Sequence, residues 1–162
     1  MALFTAARRP SRAGWCDLPV EWLAQLEPRS TQINPAETLV PMIVAHNWSH
    51  DLSDSDTMFF CDNLGAVHTL AGGLAHAQDL QVLVSITHAL LGTIRCRWWI
   101  EWPPSESNCS DGLSRQGDQD PWHRRAGLAA QPLRLPPWLR RLTGSWDQYV
   151  ALLDAHYISE AH

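Results

Sequence analysis

Met58-Phe59-Phe60-Cys61-Asp62-Asn63 is a short apolar run that stops on a carboxylate. Further along, Trp102-Pro103-Pro104-Ser105 leads into Asn108-Cys109-Ser110-Asp111-Gly112-Leu113-Ser114-Arg115. The first segment reads as a strand, Thr57 to Cys61, whose end carries Asp62. A carboxylate placed where a strand stops lies at the rim of a sheet, where α/β folds hold ligands and metal ions. Whether the chain is an α/β domain with a polar site therefore turns on what joins these two segments.

What joins them is helical, then extended. Asp62-Asn63 open a helix to about Leu70, and Gly72-Gly73 terminate it. From His76 to Leu91, the residues Leu80, Leu83, Val84, Thr87, Leu90 and Leu91 share one helical face, the pattern of a helix packed on a sheet. Beyond Gly92, Ile94, Cys96, Trp98, Ile100 and Trp102 alternate with Arg95, Arg97, Trp99 and Glu101, which predicts a strand ended by Pro103-Pro104. Asp111 then falls in the first turn of a short helix.

Upstream, Gln32-Ile33-Asn34-Pro35-Ala36-Glu37 opens another apolar run. Asn34 as N-cap, Pro35 at the first helical position and Glu37 three residues after the cap predict a helix over Pro35–His46 that starts on a capping box. Pro41 removes a backbone donor inside it and predicts a kink. Asp51 to Asp56 reads as an acidic turn, Gly14-Trp15-Cys16 as a short strand, and Pro19 to Leu26 as a helical turn. Residues 1–11 show no periodicity. Helices interleaved with strands make α/β the expected class.

The bulk properties admit a single soluble domain. The chain has 162 residues, 45% hydrophobic and 18% charged, enough to bury a core without disulfides or metals. A net charge of −5 excludes a molecule-wide trap for phosphate, so nucleic acid would have to be met by a local patch or a bound ion. Four Cys without C-x-x-C spacing argue for reduced thiols rather than zinc, and the eight His add no paired ligand spacing. No apolar run reaches the roughly 18 residues of a membrane span, and Arg8, Arg9 and Arg12 precede no signal-peptide core. An intracellular location, cytoplasmic or nuclear and not secreted, is the expectation.

The order of these parts resembles a ribonuclease H-like domain of a retroelement (retrotransposon) reverse transcriptase. The matching pieces are Gln32-Ile33-Asn34 with Glu37, Phe60-Cys61-Asp62-Asn63 with Ala66, and Trp102-Pro103-Pro104-Ser105 leading to Asn108 through Arg115. The resemblance covers residues 12–115. It implies a mixed sheet flanked by helices with the first strand missing or degenerate, and a C-terminal helical tail. The divisions it suggests are a divergent N-terminal remnant over 1–29, the ribonuclease H-like core over 30–117, and a Pro/Arg-rich linker with a terminal helix over 118–162.

The chemistry implied is metal-dependent hydrolysis of RNA in RNA·DNA hybrids. Two Mg²⁺ or Mn²⁺ ions would be held by hard oxygen ligands, one activating water and one stabilising the leaving oxygen. Carried over, Glu37 and Asp62 hold one ion and Asp111 the other. The family's bridging Asp, on its first strand, has no counterpart here. Arg95 and Arg97, on the strand face opposite Ile94 and Cys96, are the candidate contacts to the hybrid backbone. A solvated face explains them equally well. The partners implied are the hybrid and a preceding reverse transcriptase domain.

Each carboxylate also has a plain structural reading. Glu37 completes a capping box, Asp62 caps the helix after its strand, and Asp111 favours a helix dipole. Trp98, Trp99 and Trp102 fit a core better than a base-stacking platform. Arg124, Arg125, Arg134, Arg140 and Arg141 form a basic stretch, and Ser145-Trp146-Asp147-Gln148 opens a terminal helix with Trp146, Tyr149, Val150, Leu153 and Tyr157 on one side. The competing functions are therefore a non-catalytic nucleic-acid-binding remnant, or an interaction module acting through the Pro-rich segment and the last helix.

Overall fold

Residues 2–3, 12–108, 111–127, 129–137 and 139 are described by a computed structural model of the chain. The expected terminal helix around 145–157 lies outside them. The architecture is mixed α/β with two small sheets. Strand β1 (Ala2–Leu3) pairs antiparallel with β2 (Arg12–Trp15). Helices α1 (Val20–Leu23), α2 (Ile33–Thr38) and α3 (Val40–Leu52) lead into β3 (Asp56–Phe60). Helices α4 (Leu64–Gly72) and α5 (Gln78–Thr93) then cross to β4 (Arg97–Glu101), which runs parallel to β3 from Asp56↔Arg97 to Phe60↔Glu101. Short helices α6 (Asp111–Gln116) and α7 (Pro121–Ala126) precede β5 (Ala129–Pro132), which is parallel to β2.

The β3–β4 pair has one covered and one open face. Alternation along β3 sends Thr57 and Phe59 inward and leaves Met58 and Phe60 outside. On β4, Ile100 is buried while Trp99 faces out. Leu83, Val84, Ile86, Leu90 and Leu91 of α5, Ala66 and Leu70 of α4, and Met42 to Ala45 of α3 share the core with the inward residues. Each fully buried Leu or Ile there contributes roughly 1.5–3 kcal/mol of transfer free energy. No helix among the described residues is long and apolar enough to cross a membrane.

Several sequence expectations are corrected. The capping box at Asn34 does not form: α2 starts at Ile33 with Gln32 as N-cap and no side-chain cap bond, and Asn34 lies inside the helix. Pro41, lacking an N–H for the Glu37 carbonyl, sits at the start of a second helix rather than in the middle of one, and Leu39 is the joint.

The strand expected from Ile94 is shorter. Arg95 adopts φ 53°, the Arg95 amide donates to Gly92 O at 2.9 Å and the Cys96 amide to Leu91 O at 2.9 Å, so these residues close α5 in a Schellman turn. Arg95 is therefore in a turn and not on a strand face.

The described part of the stretch expected to be a linker, up to Leu139, belongs to the fold. Its β5 pairs with β2, and Leu133 and Leu139 join the common core. Asn47 fixes the exit of β5 by a two-way bond, Nδ2 donating to Arg134 O (2.8 Å) and Oδ1 accepting from Arg134 N (2.9 Å). Gly14 leaves room for this docking, since a Cβ there would lie 2.5 Å from Leu133 Cδ2. Residues 2–3, expected to be without structure, supply β1.

Candidate functional site

At the C-terminal end of β3 the chain must turn away from the sheet into α4. Asn63 caps that helix, its side-chain oxygen accepting from the Ala66 amide at 3.2 Å. Asp62, one residue earlier, is thereby not the helix cap. Asp62 lines a cavity of about 90 Å³, room for a few water molecules. Val40, Pro41, Phe59 and Ile100 give the cavity apolar walls, and Glu37, Cys61, Asn108 and Asp111 complete its polar lining.

Glu37, Asp62 and Asp111, distant in sequence, are thus neighbours on one concave surface. Glu37 arrives there from the last turn of α2, free of the capping role its spacing suggested. Asp111 arrives from the first turn of α6, whose start is tied back by the Asp111 amide donating to Asn108 O at 3.1 Å. The glycine after it lets Asp120 approach: a Cβ on Gly112 would overlap Asp120 Oδ1 and lie 2.8 Å from Asp120 Cγ, so any side chain there displaces Asp120. Asp120, 5% exposed, is packed against the backbone of α6 beside Asp111.

The electrostatics link the members. Burial, and then the negative charges of Asp62 and Asp111, push the Glu37 carboxyl above its ordinary range, opposed by a hydrogen bond from Cys61. Cys61 Sγ lies 3.8 Å from Glu37 Oε2 and 3.7 Å from Asn63 O. Burial pushes the Cys61 thiol up to about 12, with the charges of Glu37 and Asp62 adding to it, so it stays protonated at neutral pH and is unsuited to nucleophilic attack. Asp111 is also paired with Arg115 across one helical turn, Nε to Oδ1 at 3.0 Å.

Hard carboxylate oxygens suit Mg²⁺ or Mn²⁺ in kind. They do not suit two ions in number, because among the described residues the cavity lining offers no fourth carboxylate to bridge a pair. Nor do they converge as they stand: among the described residues no three His, Cys, Asp or Glu side chains are grouped closely enough to hold a metal ion. The set fits at most one ion, which would have to draw the carboxylates together.

The two arginines expected as contacts to a hybrid backbone lie away from the cavity. Arg95 forms a two-pronged pair with Asp54, Nε to Oδ1 and Nη2 to Oδ2, and Arg97 pairs with Asp56 at 2.7 Å. Both lie at the end of the sheet opposite to the cavity, since Arg97 and Asp56 begin their strands and Asp62 follows the end of one. Sequence reasoning passed over Cys61, Asn108 and Asp120. Cys61 was signalled by the alternation that turns Phe59 inward, and Asn108 by its place at the head of the Asn-x-x-Asp run. Nothing local marked Asp120.

No protein-family model matches the chain, and no curated protein or solved structure matches it either.

Proposed function

We propose that this chain is a ribonuclease H-like domain of retroelement origin. Its ancestral reaction is hydrolysis of the RNA strand of an RNA·DNA hybrid, and its present site binds the hybrid with little turnover. The observation that carries the reading is the meeting of Glu37, Asp62 and Asp111 in one cavity at the C-terminal end of β3. Parallel pairing of β3 with β4 through the α4–α5 crossover is compatible with it, since the resemblance implies a mixed sheet flanked by helices.

A single Mg²⁺ or Mn²⁺ bound there would supply charge neutralisation at a phosphate oxygen. The chain's own residues do the rest. Asp62 follows a strand end braced by the Asn63 cap, and Glu37 presents a half-buried carboxyl that burial and then the Asp62 charge raise above its ordinary range. Gly112 and Asp120 hold the turn that carries Asp111. Without a bridging carboxylate, paired-ion geometry is not enforced, so slow turnover is the expected outcome.

Incubation of a labelled RNA·DNA hybrid with the protein in Mg²⁺ or Mn²⁺ tests this. The expected outcome is hybrid binding with at most slow cleavage, and loss of that cleavage in Glu37→Gln and Asp62→Asn. Absence of hybrid binding, or cleavage that survives both substitutions, would contradict it.

A further inference from the structure

One face of the β3–β4 pair is left open by the described residues. Register sets Met58 directly opposite Trp99 and Phe60 directly opposite Glu101, and residues paired in this way point to the same side of the sheet. Met58 (44% exposed), Trp99 (45%) and Phe60 (59%) therefore form one apolar row on the face turned away from α3, α4 and α5. Sheets of parallel strands are as a rule covered on both faces, so a bare row of this kind marks a contact surface.

The two ends of the row carry opposite charges. Arg97 and Glu101, two residues to either side of Trp99 on β4, share its face. Arg97 commits Nε and Nη2 to Asp56, at 2.7 and 2.8 Å, and its Nη1 group takes no part in that pair. A guanidinium has donors enough to hold a second carboxylate. Glu101, at the other end, is engaged by no cation among the described residues.

This pattern is complementary to itself. When two copies stack face to face with antiparallel strands, a two-fold axis crosses the sheet through Met58 and Trp99. Each Trp99 then meets its counterpart, and each Arg97 lies over the other copy's Glu101. Packed sheets are about 10 Å apart, a gap that an Arg and a Glu side chain bridge together. Stacking in the parallel sense would instead press Glu101 against the ring of Phe60 with no cation to meet it. A polyanion is disfavoured on the same face, which carries Asp56 and Glu101 against the single cation Arg97.

We propose that the open face of β3–β4 is a homodimer interface, centred on Met58, Phe60 and Trp99 and closed at both ends by Arg97–Glu101 pairs between copies. The strip is about 17 Å long and two strands wide, well below a standard interface, so the dimer is weak and forms at micromolar concentration or above. It is independent of the reaction assigned to the cavity.

Sedimentation equilibrium of the full chain over a concentration series from about 5 µM to about 500 µM tests this. The wild type should show a monomer–dimer equilibrium. Trp99→Ala should raise its Kd at least about 10-fold, the effect of removing a central aromatic anchor. Glu101→Arg, which opposes like charges at both ends, should also weaken the dimer. Arg97→Glu combined with Glu101→Arg should restore it, because both pairs re-form with their signs exchanged. Circular dichroism melts check that these exposed substitutions leave the fold intact.

A wild type that stays monomeric throughout the series overturns the proposal, whether another segment of the chain or a different protein covers the face. A dimer that Trp99→Ala and Glu101→Arg both leave unchanged overturns it too, since its interface then lies elsewhere. Failure of the folded double variant to recover association overturns the antiparallel arrangement and the proposal with it.

Discussion

The two parallel strand pairs among the described residues differ in what lies at their ends. The β3–β4 pair lies over the helices α3, α4 and α5, and its C-terminal end opens into the carboxylate cavity. The β2–β5 pair joins residues near the two ends of the described chain, and its paired residues, Arg-Ala-Gly-Trp and Ala-Ala-Gln-Pro, contain no carboxylate. One pair ends at the cavity and the other closes the fold. The difference teaches that the site depends on local order around β3, while the fold's closure depends on long-range docking through small residues.

That contrast can be broken by mutation. Leu90→Ala, in the fully buried face of α5 beneath β3–β4, should cost about 2–5 kcal/mol by transfer loss and cavity formation. Gly14→Ala, which forces a methyl group into Leu133 on the β2–β5 side, should cost about 1–3 kcal/mol by overpacking. Urea denaturation of both variants measures these values. A larger loss for Gly14→Ala would mean that closure, and not the helix-covered pair, dominates stability.

A finer test separates the cap from the site. Asn63→Ala removes the α4 cap and should cost about 0.5–2 kcal/mol in the same assay. If Asp62→Asn costs as much, then Asp62 is after all part of the helix start, and its assignment to the cavity weakens.

The smallest effect is expected at Glu37, and its sign depends on pH. Folding raises this carboxyl above its ordinary value of 4.5, chiefly by burial and then by Asp62 and Asp111. In acid the group is protonated in both the folded and unfolded states and contributes nothing. As pH rises past 4.5 the unfolded chain releases its proton first, so stability falls until the folded group also ionises, and the penalty is complete above that point. Glu37→Gln should therefore match the wild type in acid and exceed it at neutral pH in the absence of divalent cations. Thermal melts across pH check this, and a variant less stable at neutral pH would contradict it.

Much of the β3–β4 side was legible in the sequence because its signals are local. The period of Leu80 through Leu91, the glycines ending α4 and the alternation in Phe59 through Cys61 each act over a few residues. Errors arose where two local codes overlapped. Ile94 and Cys96 fit a strand's alternation, yet they belong to the turn that closes α5, because Arg95 adopts a left-handed backbone conformation there. Asn34 and Glu37 fit a capping box, yet the helix starts before them.

The β2–β5 side was scarcely legible. Gly14, Leu133 and Asn47 derive their roles from one another across most of the chain, and no periodicity announces that. At the site, the three carboxylates were visible as motif residues, but what shapes the cavity, Cys61, Asn108 and the Gly112–Asp120 contact, follows from tertiary packing.

The central claim is that Glu37, Asp62 and Asp111 form one site that takes a divalent cation. Thermal denaturation at neutral pH, with and without Mn²⁺, on the wild type and on Glu37→Gln, Asp62→Asn and Asp111→Asn tests it most directly. Saturation to about 100 times Kd should stabilise the wild type by about 2.7 kcal/mol, and each variant should lose most of that gain. No stabilisation of the wild type, or an equal gain in all four proteins, would contradict the account.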